Sequence, residues 1–182
     1  MNALQIINKY YSRGSLSYRL LLKHSRQVTK KAIQVAKRVP ELRPDLTFIE
    51  EAGMLHDIGI IFTDAKILGC TGTYPYLAHG YLGRRLLEKE GLKKHALVCE
   101  RHTGVGITLK EIREQNLPLP KRNLVPITIE EKIICFADKF YTKIPSKSDK
   151  EKSIPEIKKD LIKHGKDKVL KFEEWCRLFK EI

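Results

Sequence analysis

Phe48, Ile49, Ala52 and Leu55 recur at helical spacing after Asp45, and the stripe they form runs directly into His56-Asp57-Ile58-Gly59. An imidazole and a carboxylate at the end of an apolar stripe cost free energy unless they are paired or hold a cation. The negative end of a helix dipole favours a cation at that place. The doublet therefore constrains the chain to a fold that brings partners to it. Four more ligand-type residues, His24, His79, His102 and Asp138, stand at long intervals, each inside a segment with helical periodicity. Such spacing suits a site assembled from several helices of a bundle.

The remaining pattern is helical as well. A short helix over residues 2–11 is broken by Gly14-Ser15, and Ser15 caps a long second helix. Its inward face of Leu21, Val28, Ala32, Val35 and Ala36 includes His24, until Val39-Pro40 and Arg43-Pro44 stop it. Asp45 caps the third helix, which Gly59 ends. Residues 58–75 are rich in Gly and Thr without a sustained period and read as a loop near the site. A fourth helix is predicted from about Tyr76 to Glu90, with His79 in its first turn, and a fifth from Lys93 to Thr103, delivering His102 before Gly104. Thr108 with Glu111, and Thr128 with Glu131, read as capping boxes. The second opens a helix in which Ile133, Ile134, Ala137, Asp138 and Tyr141 share a face. After a flexible link at residues 146–153, Ile157, Leu161, Val169, Phe172, Trp175 and Phe179 mark a C-terminal helical pair. There is no repeat and no strand pattern. The reading is an all-α helical bundle, residues 1–182 forming one domain with its site-bearing core at about 16–143 and the C-terminal pair at about 154–181.

At 182 residues and 42% hydrophobic content the chain can bury a core around a polar site. No apolar run approaches the roughly 18 residues of a membrane span. The start, Met-Asn-Ala-Leu-Gln, lacks the basic-then-apolar pattern of a signal peptide, so a cytoplasmic protein with no membrane partner is expected. Cys70, Cys99, Cys135 and Cys176 have no Cys-x-x-Cys spacing and read as reduced core residues. Lys and Arg total 35 against 22 Asp and Glu, a net charge of +13 that favours anionic partners. The charge is spread from Lys30-Lys31 to the Lys-rich tail, which favours solvated helix faces over a dedicated nucleic-acid surface and also suits a small phosphorylated substrate.

Four imidazoles and two carboxylates exceed what one ion takes from a protein while keeping a position open. Two divalent transition-metal ions are the natural cofactor, with Asp57 bridging them. His24, His56 and Asp138 complete one site, and His79 with His102 holds the second ion. Imidazole with carboxylate suits Fe, Mn, Zn, Co or Ni better than Ca without choosing among them, and iron is the ion expected first.

This order of residues resembles the HD superfamily of metal-dependent phosphohydrolases, whose fold is all-helical and whose HDIG signature stands here as His56-Asp57-Ile58-Gly59. Carried across position by position, the family pattern falls on His24, His56, Asp57 and Asp138, and the two histidines of its binuclear branch fall on His79 and His102. The similarity spans about residues 20–143. Leu77-Ala78-His79-Gly80 and Cys99-Glu100-Arg101-His102-Thr103-Gly104 are similar to a subgroup of stand-alone HDIG hydrolases. The resemblance implies hydrolysis of a phosphate ester or anhydride, of a nucleotide, by a metal-activated hydroxide. Some proteins resembling the superfamily use a di-iron centre to activate dioxygen, so an oxygenase is one alternative; a non-catalytic module binding a nucleotide or RNA is another. Many HDIG proteins carry Lys directly after the glycine, where it meets a substrate phosphate, whereas this chain has Ile60. Arg101 and Lys139, each beside a metal-ligand candidate, are nominated instead, with Lys143 one helical turn beyond Lys139. Asp64 is nominated to orient a water or a basic substrate group, its other reading being a loop cap with Thr63.

Overall fold

Side-chain caps set where the first helices begin in the computed structural model, which describes residues 1–181. Asn2 accepts the Leu4 and Gln5 N–H groups to open α1 (Ala3–Tyr10), Ser15 accepts from Tyr18 to open α2 (Leu16–Arg38), and Asp45 accepts from Phe48 to open α3 (Leu46–Leu55). Each satisfies first-turn donors that the helix itself leaves without partners. There follow α4 (His79–Lys89), α5 (Lys93–Arg101), α6 (Leu109–Glu114), α7 (Ile129–Asp138), α8 (Ile154–Leu161) and α9 (Lys166–Leu178). The architecture is an all-α bundle. No helix among the described residues is long and apolar enough to cross a membrane.

The long α2 is the axis of packing, lying against α3 and α7. Its Val28, Ala32 and Val35 are fully buried with Ile49, Ile133 and Ile134. The C-terminal pair covers the same core: Phe172 and Phe179 of the α9 region stand 5.2 and 5.1 Å, ring to ring, from Phe136, which in turn meets Phe140 at 5.1 Å. Offset and edge-on aromatic contacts of this kind add to the gain from burial. A second cluster joins α1 to the far end of the bundle through Ile7, Tyr11, Leu21, Leu22, Leu55, Ile58 and Leu87. All four cysteines are free and buried, as core residues should be.

Gly59 was expected to stop α3, but α3 ends at Leu55 and Gly59 lies inside a 3-10 turn, Ile58–Phe62, with ordinary backbone angles. Its role is close approach. A Cβ there would come within 2.2 Å of the His79 carbonyl oxygen and 2.3 Å of the Gly83 nitrogen, so only glycine lets the segment after His56-Asp57 lie against α4.

The segment after α3 departs from the sequence reading in a second way. Instead of an unstructured loop, it contains two 3-10 turns and a small antiparallel hairpin, β1 (Asp64–Ala65) with β2 (Cys70–Thr71), in the register Asp64 to Thr71 and Ala65 to Cys70. Strands of two residues are too short to carry an alternation. The fifth helix is two residues shorter than expected, ending at Arg101 with His102 as its cap. The Thr108 box forms in full, whereas at Thr128 only half does: Thr128 accepts the Glu131 N–H, but the Glu131 carboxylate turns to the Ile127 N–H and to Arg101. The link expected to be flexible is strapped to α2. Lys23 donates to Ser148 at 3.0 Å, Gln27 to the Ser148 carbonyl at 2.8 Å, and the nearly buried Lys31 to Glu151 at 2.7 Å and Glu181 at 2.5 Å.

Candidate metal centre

His56, His79 and His102 share one local design. Each follows the end of a helical turn: His56 caps α3, His102 caps α5, and His79 follows the 3-10 turn Tyr76–Ala78. There the carbonyl three residues back accepts the Nδ1–H, from His56 to Gly53, from His79 to Tyr76 and from His102 to Cys99, each at 2.7 Å. With Nδ1 protonated, each ring presents the lone pair of Nε2 inward. His24 comes from the middle of α2 and Asp138 from the last residue of α7.

These donors converge in two groups. Ligand atoms of His24, His56, Asp57 and Asp138 lie within 4.8 Å of one another, as do those of Asp57, His79 and His102. Asp57 is common to both, and its two oxygens are divided between them. Oδ2 is 3.2 Å from His24 Nε2 and 3.0 Å from His56 Nε2, while Oδ1 is 3.3 Å from both His79 Nε2 and His102 Nε2. Asp138 Oδ1 stands 2.9 Å from His24 and 3.5 Å from His56. All six side chains are buried.

The residues fit divalent cations on two observations. Oδ1 of Asp57 and Nε2 of His56 lack a hydrogen-bond partner despite complete burial. In addition, the Nε2 atoms of His79 and His102 face each other at 3.1 Å while both Nδ1 protons are committed to carbonyls. Two facing lone pairs are satisfied only by a shared cation, whether a metal ion or a proton on one ring. Six nitrogen and oxygen donors of this type suit first-row transition metals rather than Ca.

Electrostatics treats the two halves differently, leaving His79 and His102 neutral and His56 with a second proton to lose before its Nε2 can ligate. Burial, only partly opposed by Asp57, pushes His79 down to about 3, and burial lowers His102 as well, so both rings are neutral ligands at neutral pH. Burial would lower His56 too, but the Asp57 and Asp138 carboxylates outweigh it and hold that ring up at about 9. Burial would raise the two aspartates, yet Lys143 and His56 hold Asp57, and Lys139 and Lys143 hold Asp138, well below the usual carboxylate range.

A cleft of about 500 Å³ opens beside Asp138. Lys139, Lys143, Tyr76, Asp64 and Tyr141 line it with an apolar wall that includes Ile67, Leu68, Ile144 and Ile157. Lys139 Nζ is 2.9 Å from Asp138 Oδ2, and Asp64 projects from β1 into the outer cleft. Arg101 is elsewhere. Adjacent helical residues point about 100° apart, so with His102 facing inward the Arg101 guanidinium reaches Glu131 at 2.8 and 3.0 Å and does not line the cleft with Lys139. Lys143 is not a helical turn beyond Lys139, because α7 ends at Asp138; the turn that follows brings its ammonium 2.7 Å from Asp57 Oδ2. Tyr76, overlooked in the sequence, stacks on His79 at 4.8 Å and 29°, and its carbonyl holds that ring; its position three residues before a ligand histidine is the signal. Tyr11 braces the turn after Asp57, donating to the Ile58 carbonyl and accepting the Ile61 N–H.

A family profile described as HD domain matches residues 21–143. An uncharacterised protein of Methanocaldococcus jannaschii is 34% identical over 121 residues, 65% of this chain and 64% of that protein. Proteins named tRNA (cytidine(56)-2'-O)-methyltransferase from Picrophilus torridus and Thermoplasma volcanium are 34% and 31% identical over 120 and 139 residues, 65% and 76% of this chain. The match covers 30% and 35% of those two proteins, so the chain spans about a third of their length and under two thirds of the first. No solved structure matches.

Proposed function

The chain belongs to the HD domain family, and from that membership together with the geometry of the centre we propose that it is a metal-dependent phosphohydrolase acting on a nucleotide-sized phosphate ester or anhydride. The observation that carries this reading is the division of Asp57 between two donor groups, one oxygen to each. His24, His56, Asp57 and Asp138 would hold one ion, and Asp57, His79 and His102 the other. Bound there, divalent ions supply Lewis acidity and make water a competent nucleophile near neutral pH.

The rest of the work falls to the cleft. Lys139, steadied by Asp138 at the mouth of the centre, meets the phosphoryl oxygens and offsets their developing charge. Asp64, farther out, accepts from a hydroxyl or a basic group of the substrate body, and the apolar wall excludes water around it. No side-chain nucleophile is needed. A volume of about 500 Å³ suits a small molecule rather than a polymer.

The names of the two longer relatives favour a nucleotide derived from RNA, and with the +13 charge they also support a second reading as a nucleotide- or RNA-binding module. One screen separates them. Metal-stripped protein reloaded anaerobically with Fe²⁺ or Mn²⁺ is expected to release phosphate from nucleotides or to cleave generic phosphodiesters, and a chelator is expected to end the reaction. Dioxygen uptake without phosphate release would make the centre an oxygenase. Binding that survives chelation, weakens steeply with salt and gives no turnover would make the chain a binding module.

A further inference from the structure

Among the described residues Lys143 is the only lysine or arginine paired with Asp57, and it lies on one side of it. Its Nζ is 2.7 Å from Asp57 Oδ2 and 3.8 Å from Asp138 Oδ1. Those are the two oxygens that His24 and His56 face. Asp57 Oδ1 faces His79 and His102 instead, and Lys143 stands nearer to Oδ2 than to it. The two halves of the centre thus differ: the ammonium stands against the carboxylate oxygens of one and farther from the donors of the other.

A divalent ion and an ammonium repel strongly when they share a carboxylate oxygen in a site this dry. Loading the His24 half therefore requires Lys143 to leave. The side chain has somewhere to go, since it lines the cleft of about 500 Å³ together with Lys139 and Tyr76, and a four-carbon stem can redirect its ammonium by rotation about its own bonds. It also lines a small cavity together with Ile60.

We propose that Lys143 is an exchangeable cation: it neutralises Asp57 and Asp138 while the His24 half is empty of metal, and when that half is loaded it turns into the cleft and binds the substrate phosphate beside Lys139. This rests on the metal-centre reading above. It makes the two halves unequal, the His79 half loading first and the His24 half loading against Lys143.

Calorimetric titration of Mn²⁺ into the metal-stripped full chain, followed by titration of inorganic phosphate into the loaded protein, tests this. Wild type is expected to show two unequal steps. In Lys143→Met and Lys143→Gln the weaker step should tighten about tenfold or more while the stronger stays put, and phosphate affinity should fall about tenfold. Lys143→Arg keeps charge and reach, so it should keep the weak step; a strengthened weak step in that variant overturns the proposal even if the uncharged variants do not fold. Two Mn²⁺ steps with wild-type affinities in Met and Gln variants overturn the role of Lys143 and leave the metal centre standing, as does unchanged phosphate affinity. A wild-type chain that takes up no Mn²⁺ overturns both readings.

Discussion

Asp57 is the residue on which the centre turns, because it alone touches all four histidines. Replacing it by Ala removes the shared ligand and leaves Lys143 without its partner, so Asp57→Ala is expected to lose both ions and to lower turnover by about 10³-fold or more. Elemental analysis beside a phosphate-release assay checks this, and a variant that keeps metal would contradict it. The donors were legible in the sequence because ligand-type residues at the ends of apolar stripes have few other reasons to be buried. What tunes them was not. The groups that fix His56, His79 and His102 are the carbonyls of Gly53, Tyr76 and Cys99, and a backbone acceptor leaves no mark in residue type. Arg101, nominated for its chain proximity to His102, turns to Glu131, since helical geometry sends neighbours in different directions.

At the scale of elements, the ends matter more than the middles. Helix caps at Ser15, Asp45 and Thr108 were readable because a short oxygen-bearing side chain before an apolar stripe has a local job. The Asp64–Thr71 hairpin was not, since its strands are too short for a pattern, and Gly59 was misread because its reason lies in α4, not in its own turn. The backbone atoms around Gly59 cannot step aside as a side chain can. Gly59→Ala is therefore expected to cost about 2–4 kcal/mol, lowering the melting midpoint by on the order of 10 °C, and to loosen metal uptake by shifting His79. A variant as stable as wild type would show that α4 tolerates a gap there.

The Thr108–Glu111 box ties α6 to α9, as Glu111 also takes Lys168 at 2.5 Å. Burial alone would raise the Glu111 carboxyl, but its hydrogen bonds from Lys168 and Thr108 outweigh this and hold it below its usual value. A folded pKa below the unfolded value of about 4.3 means that the contribution is present above that pH and is lost as the pH falls through the folded value. Glu111→Gln is expected to destabilise by about 1–2 kcal/mol at pH 7 and to converge on wild type at a pH low enough to protonate the folded carboxyl. Urea midpoints at the two pH values test the sign; a difference that grows on acidification would contradict it.

For the whole molecule, the candidate donors come from α2, the ends of α3, α5 and α7 and the start of α4, and the cleft opens where α7, the hairpin and α8 meet. Which segments are helical could be read from periodicity, but the convergence of the donors and the cleft depend on how distant segments are placed, which no local pattern encodes. The central claim is that one carboxylate serves two separately loadable halves. It is tested most directly by the metal content of anaerobically reloaded protein, wild type against His79→Ala. The account predicts two ions per chain falling to one, the remaining ion held by the residues around His24. Equal metal content in the two proteins would contradict it.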